Sequence, residues 1–239
     1  MILKKNIAIF VAARSGSKRL PNKHFLKINK NLKMIDLCIM RLKKVKLAKK
    51  IFLCTTKKNE DNKFINVCKK HGIELFRGSE QDVQKRFLDC AKQNSINNIV
   101  RITADCPIID PVIVDRCIKI HLDNNLDYTS NTLKLSYPDG LDVEVFKTDA
   151  LVKSQNLKKD LNNKEHVTPF IRSSKFFKKQ NLQSKKNFAN RRWTLDYRKD
   201  FLFLKKVIVF FLPNIYFSWK ELIKLEKNFK FLSNIKEKK

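Results

Sequence analysis

This chain is poor in glycine and in acid. Four of its 239 residues are glycine and six are proline. Neither GxGxxG nor GxxxxGK[ST] occurs, so the dinucleotide-binding fingerprint and the P-loop are both excluded. Only 23 Asp and Glu stand against 52 Lys and Arg, a formal charge of +29. That balance points to an anionic partner, whether nucleic acid, a membrane surface or a phosphorylated small molecule. Alternatively it reflects AT-rich codons, which would enrich Lys, Asn, Ile and Phe together. The six cysteines, Cys38, Cys54, Cys68, Cys90, Cys106 and Cys117, form no CxxC pair and have no short-spaced His partner, which argues against a thiolate metal site. Several lie in apolar runs, where a free thiol is a small buried hydrophobe in a reducing compartment, so the protein is expected in the cytoplasm. No apolar run reaches the roughly 20 residues that span a bilayer. The segment 201–217, "FLFLKKVIVFFLPNIYF", is broken by Lys205, Lys206 and Pro213 and reads as a buried helix. The N-terminal "MILKKNIAIFVAARS" has no small-residue cleavage site and reads as a first strand.

What is present is an alternation. Short β-branched or apolar runs at 6–13, 50–56, 73–78 and 98–105 are separated by segments such as "MIDLCIMRLKKVK" and "DVQKRFLDCAKQN", whose apolar residues recur every three or four positions. Strand alternating with helix predicts a mostly parallel sheet with helical crossovers, a three-layer α/β/α architecture of Rossmann-like type. Asp110 followed by Pro111 predicts a capped helix start. Beyond it, "LDYTSNT" and "LDVEVF" suggest a small antiparallel extension. With no repeat or linker, residues 1–239 read as one domain.

The most informative stretch closes the first strand: "IFVAARSGSKRLPNKHF", residues 9–25. Open α/β sheets bind ligands at the carboxyl ends of their strands. Ala12, Ala13, Ser15, Gly16 and Ser17 are small enough for backbone N–H groups to close on an anion, and Gly16 can take a positive φ. Arg14, Arg19 and Lys23 add fixed charge, Arg as a planar fork and Lys as a movable point. On these residues alone the stretch is either a polyphosphate cradle or a solvated basic loop.

"AARSGSKRLPNK" resembles the signature of the sugar-activating cytidylyltransferases, which include acylneuraminate and 3-deoxy-manno-octulosonate cytidylyltransferases, and most of all their relatives in the spore-coat polysaccharide biosynthesis protein F family. The blocks "FRGSEQDVQKRF", "RITADCPIIDPVIVD", "SNTLKLSYPDGLDVEVF", "EHVTPFIR" and "RRWTLDYRKDF" are similar to that family's blocks in the same order across nearly the whole chain. The resemblance implies a nucleotide-diphospho-sugar transferase fold and a reaction in which a sugar hydroxyl attacks the α-phosphate of CTP, releasing pyrophosphate. Such chemistry asks for alignment and charge neutralisation. The resemblance places Arg14, Lys23 and Asp105 at catalytic positions, Arg77 and Ser79, with the first loop, on the nucleotide, and Asp105 and Asp196 around Mg²⁺.

On the residues alone, the alternative for Asp105 is a turn or helix-cap carboxylate. Arg86 reads either as a nucleotide contact or as a surface helix residue. On the sugar side stand Asp139, Asp142, Glu144, Glu165, His166 and Arg192. Alternation predicts Asp142 and Glu144 on one strand face and Val143 and Val145 on the other. These acids suit hydroxyl or amino recognition, or a hydrogen-bonded structural role; His166 is a substrate contact, a proton relay or a structural residue. The expected partners are CTP and a small acidic or amino sugar, with no membrane span, and the resemblance implies a homodimer. Two other readings remain: a glycosyltransferase-like protein that binds a nucleotide sugar, and a nucleic-acid-binding protein drawn by charge. Against the last, the aromatic residues sit in apolar runs instead of alternating with Lys and Arg.

Overall fold

The four early apolar runs are parallel strands: β1 (Ile7–Ala12), β2 (Lys50–Thr56), β3 (Glu74–Gly78) and β4 (Asn98–Thr103). This computed structural model describes residues 6–157 and 166–228. Three further strands, β5 (Tyr128–Ser130), β6 (Glu144–Lys147) and β7 (Lys179–Asn181), complete a seven-stranded sheet in the order β3-β2-β1-β4-β6-β5-β7. β6 runs antiparallel to both β4 and β5, the antiparallel extension that the sequence suggested. β7 pairs parallel with β5. Its residues, Lys-Gln-Asn, carry no apolar alternation, so nothing local announced it.

Eight α-helices are described: α1 (Met34–Leu42), α2 (Lys63–His71), α3 (Val83–Gln93), α4 (Pro111–Asp123), α5 (Thr148–Leu157), α6 (Pro169–Ser173), α7 (Arg198–Phe211) and α8 (Trp219–Asn228). They cover both faces of the sheet because the side chains of β1 alternate. Ile9 and Val11 enter one apolar cluster with α1, α2, α4, α7 and α8, and Ala8 and Phe10 enter a second with α3, α5 and α6. That is the three-layer α/β/α arrangement. Asp110 caps α4 as its sequence implied, accepting from the Val112 amide at 2.8 Å with Pro111 in the first turn.

The segment 201–217 departs from expectation. α7 buries Phe201, Phe203, Leu204, Val207 and Ile208, but Leu202, Val209 and Phe210 on its other side are about half exposed. A period of 3.6 residues puts only part of a nearly all-apolar run against the sheet. Among the described residues, no helix is long and apolar enough to cross a membrane.

Two devices fix the frame around the cleft. Arg41, buried on α1, donates to the carbonyls of Ile109 (2.8 Å), Ile215 (2.5 Å) and Phe217 (2.8 Å), tying α1 to the loop before α8. Burial pushes its guanidinium pKa down to about 10. Gly140 takes φ +106°, and a Cβ there would lie 2.6 Å from the Trp193 carbonyl carbon. Only glycine lets this turn press against the backbone of Trp193 and Thr194, and that contact carries Asp139 to Arg192.

Candidate active site

The loop after β1 is bolted to the end of β2. Ala13 donates its amide to the Cys54 carbonyl at 3.3 Å, and the Ser15 amide donates to Asp61 Oδ1 at 2.7 Å. Asp61, buried beside the last turn before α2, also accepts from the Thr56 hydroxyl and amide. Burial raises its carboxyl pKa, but the hydrogen bonds from Thr56 and Ser15 outweigh this and hold it below the ordinary value. Two expectations change here. Gly16 does not take a positive φ; the left-handed step falls at Asn22 (φ 55°), just before the tight turn Lys23–Phe25. The turn at Gly16 is closed by the Ser17 amide on the Ser15 carbonyl (2.9 Å), and the missing Cβ leaves room for the Glu60 carboxylate. The amides of Ala13, Ser15 and Ser17 are committed within the protein, so these three are not offered to an anion.

Ala12, Ala13, Arg14, Gly16, Ser17, Arg19 and Lys23 line one cavity of about 600 Å³ at the carboxyl edge of the sheet, where Asp105 joins them. Asp196 meets Asp105 through a backbone link: the Leu195 amide donates to the Asp105 carbonyl at 2.8 Å, so the chain ending β4 and the chain entering α7 run side by side. Both carboxylates converge on Lys23, whose Nζ lies 2.6 Å from Asp105 Oδ1 and 2.9 Å from Asp196 Oδ1. Asp196 also receives Arg19 at 3.0 Å and Arg192 at 2.9 Å. Burial pushes the Asp196 carboxyl up, but the contact with Lys23, then Arg192 and Arg19, prevails and holds its pKa below the ordinary value. The neighbouring His24 is buried, which pushes its imidazole down to about 4, so it is neutral at pH 7.

The nucleotide residues divide. Arg77 and Ser79 do not enter this cavity. They line a separate one of about 440 Å³ beyond β3, and Arg77 donates to the carbonyls of Thr56 (3.0 Å) and Lys58 (2.9 Å). Arg86 enters the cleft instead. It is 2% exposed, donates Nη1 to the Ser79 carbonyl at 2.9 Å, and has no partner for Nε. Its side chain passes over Gly78, where a Cβ would meet Arg86 Cγ at 2.8 Å. Burial, and then the like charge of Arg14, pull its pKa down against the attraction of Cys54 and Asp61. The signal for this was in the sequence: Val83, Arg86, Phe87 and Cys90 share one helical stripe, so an arginine on the buried face of α3 is not a surface residue.

On the other flank, Glu144 is buried and bonded to Arg101, Thr168 and, at 2.6 Å, Tyr128; this is the hydrogen-bonded structural role among its alternatives. Burial raises its pKa, and Arg101, Thr168 and Tyr128 more than reverse the rise. Val143 and Val145 lie in an apolar cluster while Glu144 turns to the other face. Asp142 has its pKa pushed up to about 7 by burial and then by Asp139 and Glu144. Arg192 is held by Asp139 (3.3 Å), Asp196 and Asp200 (3.3 Å), so it is not offered singly to a substrate carboxylate. His166 is exposed at the mouth of the cavity, and Glu165 lies outside the described residues.

As a metal site, the donors fit a small hard cation. Among the described residues no three His, Cys, Asp or Glu side chains form a cage. Two converging carboxylates are nonetheless what Mg²⁺ takes from a protein when phosphate and water fill the rest of its shell.

Known proteins resemble this chain in sequence and in overall fold. A family model described as Cytidylyltransferase matches residues 8–236. Uncharacterized protein MJ1063 of Methanocaldococcus jannaschii is 41% identical over 161 residues, covering 67% of this chain and 65% of that protein, so the chain spans just under two thirds of that relative's length. Spore coat polysaccharide biosynthesis protein SpsF of Bacillus subtilis is 29% identical over 208 residues, covering 84% of this chain and 85% of SpsF. The solved structure of a cytidylyltransferase from Leptospira borgpetersenii serovar Hardjo-bovis superposes with a TM-score of 0.91 at 32% identity, covering 98% of each chain.

Proposed function

The chain belongs to the cytidylyltransferase family, whose members use CTP for nucleotidyl transfer, and from that premise we propose that it joins CMP to a hydroxyl of an acidic or amino sugar. The product is a CMP-sugar for a surface polysaccharide or glycan. The observation that carries this reading is the convergence of Asp105 and Asp196 on Lys23, beside a cationic loop whose residues line one cavity with Lys23 and Asp105. The sugar oxygen attacks the α-phosphorus, an O–P bond forms as the hydroxyl proton passes to solvent water, and the bond between the α-phosphorus and the bridging oxygen breaks with its electron pair leaving on pyrophosphate. Arg14, Arg19 and Arg86 hold the triphosphate, and Lys23 moves to the α-phosphate to offset charge in the transition state. Mg²⁺, held by Asp105 and Asp196, would supply further neutralisation of phosphate charge. On this reading the acceptor enters past His166 at the cavity mouth and meets Asp139 and Asp142, while Arg192 and Glu144 act through their ion pairs as structural supports.

The likeness to SpsF, a protein named for spore-coat polysaccharide synthesis, supports a sugar acceptor. Six free, buried thiols suit the reducing cytoplasm. We take the chain to act as one domain and as a homodimer; light scattering checks the dimer. The deciding experiment is pyrophosphate release from CTP with Mg²⁺ and a panel of sugar acids and amino sugars. Turnover with at least one sugar is expected. Lys23→Ala or Asp105→Ala should lower kcat by about two orders of magnitude or more. No CTP binding and no pyrophosphate with any acceptor would end the reading.

A further inference from the structure

The two aspartates of the cleft already hold cations. Lys23 Nζ sits between them, on a residue only 6% exposed. Asp196 has a second cation on the same oxygen, Arg19 Nη2 at 3.0 Å, and a third, Arg192 Nη2, on the other oxygen at 2.9 Å. Two carboxylates this close repel unless a cation lies between them, which accounts for an ammonium buried here.

We propose that Lys23 is a tethered cation that keeps the place of a divalent ion between Asp105 and Asp196, so that metal and nucleoside triphosphate enter the cleft only together. This rests on the reading of the cleft as a triphosphate and metal site. A dication approaching Asp196 meets three side-chain cations at about 3 Å, so alone it must displace them or accept their repulsion. A triphosphate removes the obstacle. Lys23 is a point charge on a flexible stem, and Arg19, 54% exposed, has among the described residues besides Asp196 only the Tyr197 hydroxyl at 3.4 Å and its ring face, so both can exchange Asp196 for phosphate oxygens in the cavity they already line. Arg192 stays, since Asp139 and Asp200 hold it as well. With Lys23 and Arg19 withdrawn, Asp105 loses its ammonium partner and Asp196 keeps only Arg192, on its other oxygen, so the pair takes the dication. Linkage makes the effect reciprocal: whatever factor the nucleotide adds to metal affinity, the metal adds to nucleotide affinity.

The test titrates Mn²⁺ into the full chain without nucleotide and follows the loss of the free-ion EPR signal. Wild type should bind weakly. Lys23→Met should bind at least about tenfold more tightly, Arg19→Gln should gain a smaller factor, and adding Asp105→Asn to Lys23→Met should abolish the gain. Equal affinity in wild type and Lys23→Met, or a gain that survives Asp105→Asn, overturns the proposal. If Lys23→Met does not fold, Arg19→Gln decides, and no gain there overturns it. In wild type, the thermal shift with Mn²⁺ and α,β-methylene-CTP together should exceed the sum of the separate shifts; shifts that merely add refute joint entry. The nucleotide-free titration needs neither CTP nor acceptor. A chain that never responds to nucleotide therefore refutes the CTP reading and joint entry, while the Mn²⁺ titration still decides whether Lys23 bars the metal.

Discussion

Arg86→Met separates a binding arginine from a structural one, because the two roles predict opposite pairs of results. In the free protein Arg86 is buried, its Nε has no partner, its Nη1 donates to the Ser79 carbonyl, and Arg14 repels it. Methionine fills a similar volume without the charge. The loss of one hydrogen bond, about 1 kcal/mol, is offset by relief of a poorly paired buried cation, so stability without ligand should change by no more than about 1 kcal/mol in either direction. Binding should suffer much more. A charge-assisted contact to phosphate contributes about 1.5–3 kcal/mol, so CTP affinity should fall by roughly 10- to 150-fold. Thermal or urea unfolding with and without CTP and Mg²⁺ measures both effects. At a ligand concentration 100 times the wild-type Kd, wild type gains about 2.7 kcal/mol, whereas a variant weakened 30-fold gains only about 0.9 kcal/mol. A variant that loses about 3 kcal/mol unliganded yet keeps the full CTP-induced gain would refute the reasoning and make Arg86 a packing residue.

Asp142 should make stability fall as pH rises. Burial raises its native pKa to about 7, above the ordinary 3.8 of an exposed aspartate, so between these values the folded state binds the extra proton. About three pH units correspond to about 4 kcal/mol lost between pH 4 and 7; in Asp142→Asn this component should vanish from urea titrations across that range, and an unchanged slope would count against the burial argument. Arg41→Met leaves the carbonyls of Ile109, Ile215 and Phe217 without their donor and should lower the urea midpoint by the equivalent of about 3 kcal/mol with no change in m. Gly140→Ala forces a Cβ against the Trp193 carbonyl at a positive φ, so a loss of about 3 kcal/mol or more is expected by thermal unfolding, and a silent substitution would show that the turn can relax.

The four parallel strands, the helices between them and the cap at Asp110 were legible because each is written in local periodicity or in a residue pair with one stereochemical meaning. So was the clustering of Arg14, Arg19 and Lys23 at the carboxyl end of β1, since an α/β sheet delivers its strand ends to one edge. What sequence could not decide are contacts between segments distant along the chain. The three lysine-and-arginine partners of Asp196, the commitment of the Ser15 amide to Asp61, and the exchange of Arg77 for Arg86 in the cleft all depend on how loops from β1, β2, β3 and α7 settle against one another. Periodicity says which face a side chain occupies. It carries no information about which distant charge completes that side chain's coordination, and in this protein that pairing fixes what the cleft can bind.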